Sequence, residues 1–487
     1  MITRQTELKM SKYMELYDIL VPKDNKLRQI KEIIDFEFIY DEVKNKYCPD
    51  NGRNAIDPIL LFKYLLVKVI DGMSDIGVVE RSRYDLSYKY FLDMAPEETE
   101  MIDPSTLTKF RRLRLKDSNL LDLLIGETVK IAREKGLIKS RNIIVDSTHT
   151  ASKYNPRKPI EVLKQSTKKL RKDIYRFDEE IKKAFPEKPI VDDLETEIEY
   201  TTELINIIEK QEAISEIPSV VENIRVVKEV LEDISEAKTF SLDQDAKTGH
   251  KTSDTSFFGY KTHIAMTEDR IITSAIITSG EKPDGKELVS LIEKTKAAGI
   301  EVEAVIGDTA YSEKPNLEYG KEQNIEIISR LHPVIMSGFR KDDNGFYFNK
   351  DAGLYVCPQG HMAIRVSHCV YKKHPEKTKI TTYFFDVEKC KFCPMRNGCY
   401  KEGAATKSFT VSHTHPTHLK QQEFMETEHF KTLAKNRYMI EAKNAELKNS
   451  YGYDTANSTG ISGMQLQGAM TIFAANLKRI VSLSNNL

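Results

Sequence analysis

Five short apolar runs constrain this chain more than any other feature of it. They lie at residues 142–146, 258–266, 271–277, 302–306 and 325–328. Each is rich in β-branched or aromatic residues and short enough to be a strand rather than a buried helix. Glu268 and Asp269 make a connection between the second and third runs tight enough for a hairpin. Helical patterns precede the fourth and fifth runs, the first of them starting near Asp284. The order strand, strand, strand, helix, strand, helix, strand predicts an α/β (mixed α+β) class, with one mixed five-stranded sheet and helices on both faces.

The remaining segments read differently. Residues 1–117 predict an all-α N-terminal domain, with helices starting at Asp57-Pro58 and Asp103-Pro104, an Asp cap followed by Pro at the first helical position. The second of these carries Lys109, Arg111, Arg112, Arg114 and Lys116, the densest basic cluster in the chain. Alone, such a cluster is a solvated helix face. Placed ahead of a candidate nuclease site, contact with a DNA backbone weighs equally. A helix spans about 120–134.

Residues 155–240 interrupt the strand pattern. Leu170, Ile174, Phe177, Ile181 and Ala184, then Val220, Ile224, Val227, Leu231 and Ile234, recur at three- and four-residue spacing. That is a coiled-coil-like pattern, punctuated by Pro186, Pro189 and Pro218, and it predicts a helical-hairpin insert. Residues 331–430 form a small Cys-rich insert, and helices resume near 433–449 and 464–483. The strand-bearing core therefore covers 118–330 and 431–487. Asp243, Asp245 and Asp254, near the second strand, read as turn residues.

Composition sets limits. Lysine and arginine number 73 against 74 acidic residues, so the chain as a whole is not a strongly basic nucleic-acid binder. Tryptophan is absent, which leaves any base stacking to tyrosine and phenylalanine. Lysines break every apolar run well short of a membrane span, and the N-terminal MITRQTELKM lacks the apolar core of a signal peptide. A cytoplasmic, nucleoid-associated protein without membrane contact is expected.

Three carboxylates stand in informative settings. Asp146 ends the first strand and Asp308 follows the fourth, where a sheet fixes side chains while the connections leave room for ligand. Either alone would be an ordinary turn residue. Glu441 shares roughly a 40° helical stripe with Arg437 and Lys448. By itself this is a weak Arg–Glu pair at four-residue spacing. Together the three acids suit Mg²⁺ (or Mn²⁺), which prefers carboxylate oxygens. Two ions about 4 Å apart could serve in-line attack on a phosphodiester. Arg437 and Lys448 would hold phosphates alongside.

The strand order with its three acids resembles the ribonuclease H-like fold of DDE transposases, and more narrowly the bacterial insertion-sequence transposases. The matching residues are Val145-Asp146-Ser-Thr-His149, Phe258-Gly-Tyr-Lys261 with His263, Val305-Ile-Gly-Asp308-Thr-Ala-Tyr311, and Arg437, Glu441 and Lys448 in Arg-x3-Glu-x6-Lys spacing. The stretch from Asp18 to Arg114 is similar to the helical domain that precedes such cores. Ala434 departs from the family, whose relatives often carry Tyr there.

The resemblance implies Asp146, Asp308 and Glu441 as catalytic metal ligands and Lys448 as a phosphate contact. It implies hydrolysis at the ends of a mobile element, followed by attack of the freed 3′-hydroxyl on target DNA. Double-stranded DNA, as terminal inverted repeats and as target, is the implied partner. A homodimer or larger synaptic complex is the implied assembly. The same acids would serve a ribonuclease H-like nuclease without strand transfer, and a domesticated DNA-binding protein would keep the basic residues without catalysis.

Cys357, Cys390, Cys393 and Cys399 form a candidate four-thiolate Zn²⁺ site, with Cys369 and His361 as further candidates nearby. Reduced cysteines without metal are the alternative. Lying between Asp308 and Glu441, the segment would serve folding or DNA grip rather than catalysis.

Overall fold

The computed structural model describes residues 11–48, 54–116, 118–154, 157–178, 180–189, 193–235, 241–251, 255–332, 345–369, 380–411 and 416–486. They fall into two compact units, 1–151 with 248–487, and 152–247.

In the larger unit, the two Asp-Pro starts behave as expected. Asp57 caps α1 (Pro58–Ile70) by accepting from Ile59 N at 2.9 Å. Asp103 caps α2 (Pro104–Phe110) by accepting from Ser105 N at 2.8 Å. A single π-helical stretch, Arg111–Leu115, continues α2. Next, α3 (Leu120–Glu134) buries Leu121, Leu124, Ile125 and Val129 along one face.

The central sheet contains β1 (Asn142–Ala151), β2 (Lys247–His250), β3 (Ser256–Thr267), β4 (Ile272–Ser279), β5 (Ala304–Ile306) and β6 (Glu326–Ile328). The main order is β4-β3-β1-β5-β6, and the short β2 also lies along β3, so six strands replace the five expected. β1 pairs antiparallel with β3, from Ile143 opposite Thr267 to Ala151 opposite Gly259. It pairs in parallel with β5, which is parallel to β6. β3 and β4 form the hairpin, closed by Arg270 at φ 65°. This is the ribonuclease H-like arrangement, an antiparallel hairpin beside three parallel strands.

One face of β1 packs Ile143 and Val145 into a core with Leu288, Leu291 and Ile292 of the helix before β5, α7 (Leu288–Ala297). α8 (Lys314–Gln323) contributes Leu317 to the same core. α9 (Tyr438–Tyr451) crosses the other face of β1. α10 (Ile461–Ser484) is buried along most of its length. Its Phe473 meets Phe62 of α1 with ring centroids 5.9 Å apart. Among the described residues, no helix is long and apolar enough to cross a membrane.

Residues 345–411 add the hairpin β7 (Tyr347–Asn349) and β8 (Leu354–Val356). They also add an antiparallel sheet of β9 (Arg365–Cys369), β10 (Ile380–Phe385) and β11 (Lys407–Val411). Phe348, Tyr355, Tyr383, Phe385 and Phe409 make their shared core.

In the smaller unit, three long helices replace the expected hairpin: α4 (Pro159–Ile174), α5 (Leu194–Glu209) and α6 (Pro218–Ser235). Leu163, Leu170 and Ile174 pack with Leu204, Ile208, Val220 and Val227. The first helix stops at Ile174, so Phe177, expected to continue its apolar stripe, is 58% exposed. Asp243 is buried and accepts from Ser152 Oγ at 2.8 Å, so it is more than an exposed turn residue. Asp254 lies outside the described residues.

Candidate active site

Asp146 sits midway along β1, opposite Ile264 of β3. Asp308 follows β5 and caps the turn Thr309–Tyr311 by accepting from Ala310 N at 2.7 Å. Gly307 makes this approach possible. A Cβ there would stand 2.5 Å from the Tyr311 ring and 3.0 Å from Val145.

Both carboxyls are raised from their ordinary range. Burial, then the field of Asp308, pushes the Asp146 carboxyl up to about 7. Burial also raises Asp308, against the opposing charge of Lys350. Arg437 lowers both.

α9 brings Asn444 onto Asp146, its Nδ2 donating to Oδ2 at 3.0 Å. Asn444 Oδ1 is buried without a hydrogen-bond partner. One turn earlier on α9, Glu441 is exposed and pairs with Arg437 Nη2 at 3.0 Å. Asp308 and Arg437 thus both act on the charge of Asp146, and Arg437 pairs with Glu441.

Further groups surround them: Lys261, His263 and Tyr311 lie in the motifs quoted above, whereas Asp284 and Asp351 carry no distinguishing pattern in the sequence. Lys261, almost fully buried on β3, donates to Asp284 Oδ1 at 3.1 Å and to Asp351 Oδ2 at 2.7 Å. Asp284 Oδ2 accepts from Ser147 Oγ at 2.8 Å. Burial pushes Asp284 up, but Lys261, His263 and Ser147 together outweigh it and hold the carboxyl below the usual range. Asp351 is instead pushed up to about 6 by burial, against Lys261. His263, fully buried, is lowered to about 4 by burial and stays neutral. Tyr311 is buried with its hydroxyl unpartnered, within the fields of Asp284, Asp146, Asp308 and Asp351.

The expected basic contacts divide. Lys448 Nζ lies 3.3 Å from His149 Nε2. Burial and Lys448 lower His149 to about 4, so it is neutral and leaves the lysine's charge available to an anion. Lys109 and Arg112 are exposed on the N-terminal helices. Arg111 instead forms a two-pronged pair with Asp75, which Lys68 also contacts at 2.7 Å. Arg114 donates to the Lys46 carbonyl and lies 4.3 Å over the Tyr47 ring.

Cys357, Cys390, Cys393 and Cys399 line one cavity of about 860 Å³ together with His361. Cys357 lies on a tight turn, with Gly360 N donating to its carbonyl, and Cys393 N donates to the Cys390 carbonyl. Burial pushes the Cys357 and Cys390 thiols up, and the neighbouring cysteines raise them further. The Cys369 side chain lies outside the described residues.

Among the described residues, no three His, Cys, Asp or Glu side chains meet as a ready-made ligand set. The donor chemistry around Asp146 nonetheless fits a hard divalent cation. It offers two carboxylates, Asp146 and Asp308, the second of which raises the first, and one orphaned amide oxygen, that of Asn444.

Comparison with known families agrees with this architecture. Residues 15–113 match the family described as Transposase domain (DUF772), and residues 356–481 match that described as Transposase DDE domain. None of the curated proteins compared matches the chain. The second match contains Arg437, Glu441, Lys448 and the four clustered cysteines, whereas Asp146 and Asp308 lie outside both. A match to a transposase helical domain and a match to a transposase DDE domain thus flank a ribonuclease H-like sheet, and together they support an insertion-sequence DDE transposase.

Proposed function

We propose that this transposase cuts DNA at the ends of its mobile element and joins the freed 3′-hydroxyls to target DNA, using Asp146, Asp308 and Glu441. The observation that carries the reading is Asp146 within the field of Asp308 and bonded to Asn444 of α9, with Arg437, just before α9, lowering both aspartates and pairing with Glu441.

The three carboxylates would hold one or two Mg²⁺ or Mn²⁺ ions, with the Asn444 amide oxygen beside them. Such ions, when bound, activate the attacking oxygen and neutralise charge on the leaving one. Glu441 must leave Arg437 to join the aspartates. The exchange is cheap, because an exposed pair at four-residue spacing contributes only about 0.5 kcal/mol. Arg437 is then released to meet a phosphate, and Lys448 holds another beside neutral His149.

In this reading the strand-bearing core spans 118–330 and 431–487, and residues 1–117 add DNA contacts through Lys109 and Arg112. Arg111 and Arg114 support that domain from within. The insert at 155–240 and the Cys-rich segment at 331–430 are accessory. A structural Zn²⁺ on Cys357, Cys390, Cys393 and Cys399 would stiffen the latter. Two DNA ends require a homodimer or larger synaptic complex.

Cleavage of a duplex carrying the DNA that flanks the gene, with Mn²⁺ or with chelator, tests the reading. Metal-dependent 3′-hydroxyl ends that join to a plasmid support it. Nicking without joining would favour a ribonuclease H-like nuclease.

A further inference from the structure

The hairpin β7–β8, from the segment that carries the cysteines, reaches the acids. Asn349 Oδ1 accepts from Ala352 N at 3.1 Å, closing a turn that carries Lys350 and Asp351. Lys350 Nζ donates to the Thr309 carbonyl at 2.5 Å, one residue beyond Asp308. Asp351 Oδ2 accepts from Lys261 Nζ at 2.7 Å. Lys261, with 6% of its side chain exposed, also holds Asp284, and Asp284 holds the hydroxyl of Ser147, next to Asp146. A continuous run of contacts therefore leads from the strand bearing Asp146, through Asp284 and Lys261, to the hairpin, and back to the turn bearing Asp308.

We infer that Lys350 and Asp351 are positioning residues of the carboxylate site. Neither is placed to bind DNA through this network. They act by fixing the Asp308 turn against β1, and the inference rests on the assignment of Asp146 and Asp308 made above. The physical reason is the burial of Lys261. A buried ammonium that loses one of its two carboxylates keeps its charge and must draw on the other, Asp284, which itself holds Ser147 beside Asp146. A displacement of about 1 Å at a reacting centre can cost a factor of about 100 in rate. The hairpin thereby gives the cysteine-bearing segment a part in catalysis that its place in the sequence does not suggest.

The test uses the full-length protein, Mn²⁺ and a duplex carrying the DNA that flanks the gene. Lys350→Met and Asp351→Asn are compared with Lys350→Arg, Asp351→Glu and Asp308→Asn. Cleavage rate at saturating duplex, metal-free duplex binding and thermal unfolding are recorded for each. The expected result is cleavage slowed roughly 10- to 100-fold in Lys350→Met and Asp351→Asn. Duplex affinity stays within about twofold, and Lys350→Arg and Asp351→Glu recover most of the rate. Wild-type rates in Lys350→Met and Asp351→Asn would overturn the inference. So would a rate loss matched by lost duplex affinity, or one that follows unfolding and is not recovered by the Arg and Glu variants. Wild-type cleavage by Asp308→Asn would instead overturn the assignment of the acids on which the inference rests.

Discussion

Arg437 Nη2 lies 3.0 Å from Glu441 Oε1, and the charge of the same arginine also acts on Asp146 and Asp308. The charge of one guanidinium thus acts on all three acids. The Glu441 side chain is 57% exposed, so the pair adds little to the fold. Glu441→Gln should change unfolding free energy by less than about 0.5 kcal/mol. The same change should lower metal-dependent cleavage by orders of magnitude. Denaturant unfolding beside a cleavage assay separates these effects, and a fully active Glu441→Gln protein would remove Glu441 from the site.

Asp75 supplies a pH-dependent prediction. Burial raises its carboxyl, but Arg111 and Lys68 outweigh that and hold it at about 2. The folded protein therefore binds this proton more weakly than the unfolded chain, whose carboxyl titrates near 3.8. The resulting stability is fully present above that value and is lost as pH falls through about 2. With its side chain 17% exposed, Asp75 should contribute about 2 kcal/mol at neutral pH. Asp75→Asn should unfold more easily by that amount at pH 7 and converge on the wild type at pH 2, as measured by urea melts at both.

Arg111 and its neighbours should part company. Lys109→Ala and Arg112→Ala should weaken duplex binding and lower the salt slope by about 1 per residue, because both side chains are exposed. Arg111→Met should cost stability instead, since its guanidinium is spent on Asp75. Binding titrations over a salt series, set beside thermal melts, distinguish the two. An Arg111→Met protein of wild-type stability with a reduced salt slope would reverse the assignment.

How much of this could be read from the sequence depends on where each signal lies. The buried β-branched runs announced β1, β3, β4, β5 and β6, because apolar strand centres carry their own pattern. The second half of β1 did not. Thr148 and Thr150 are buried there, and Thr150 Oγ1 is satisfied by the Tyr453 carbonyl at 2.9 Å, a partner about three hundred residues away. α5 was missed because five glutamates between Leu194 and Glu209 mask the apolar face of Tyr200, Leu204, Ile205 and Ile208. Asp308 was legible because strand ends collect functional groups, and Asp146 because it closes the apolar run of β1, although the strand continues past it to Ala151. Lys261 stood in a quoted motif, but its partners Asp284 and Asp351 were not legible, since an ion network drawn from three separate segments leaves no local trace. The same reason hid the pairing of Arg111 with Asp75.

The cysteine cluster yields a metal prediction. Protein prepared in metal-free buffer after expression should retain about one Zn²⁺ per chain. Cys390→Ser/Cys393→Ser should lose it, with a stability loss concentrated in residues 345–411. Atomic absorption and hydrogen exchange measure the two. Correctly folded protein without zinc would leave four reduced thiols around an apolar cavity.

The central claim is that Asp146 and Asp308 form the chemical centre of a transposase. Its most direct test incubates wild type and Asp308→Asn with Mg²⁺, a duplex carrying the DNA that flanks the gene, and a target plasmid. The account predicts that wild type releases 3′-hydroxyl ends and joins them to the plasmid, while Asp308→Asn binds the duplex equally well and does neither. Joining by Asp308→Asn at the wild-type rate would contradict it.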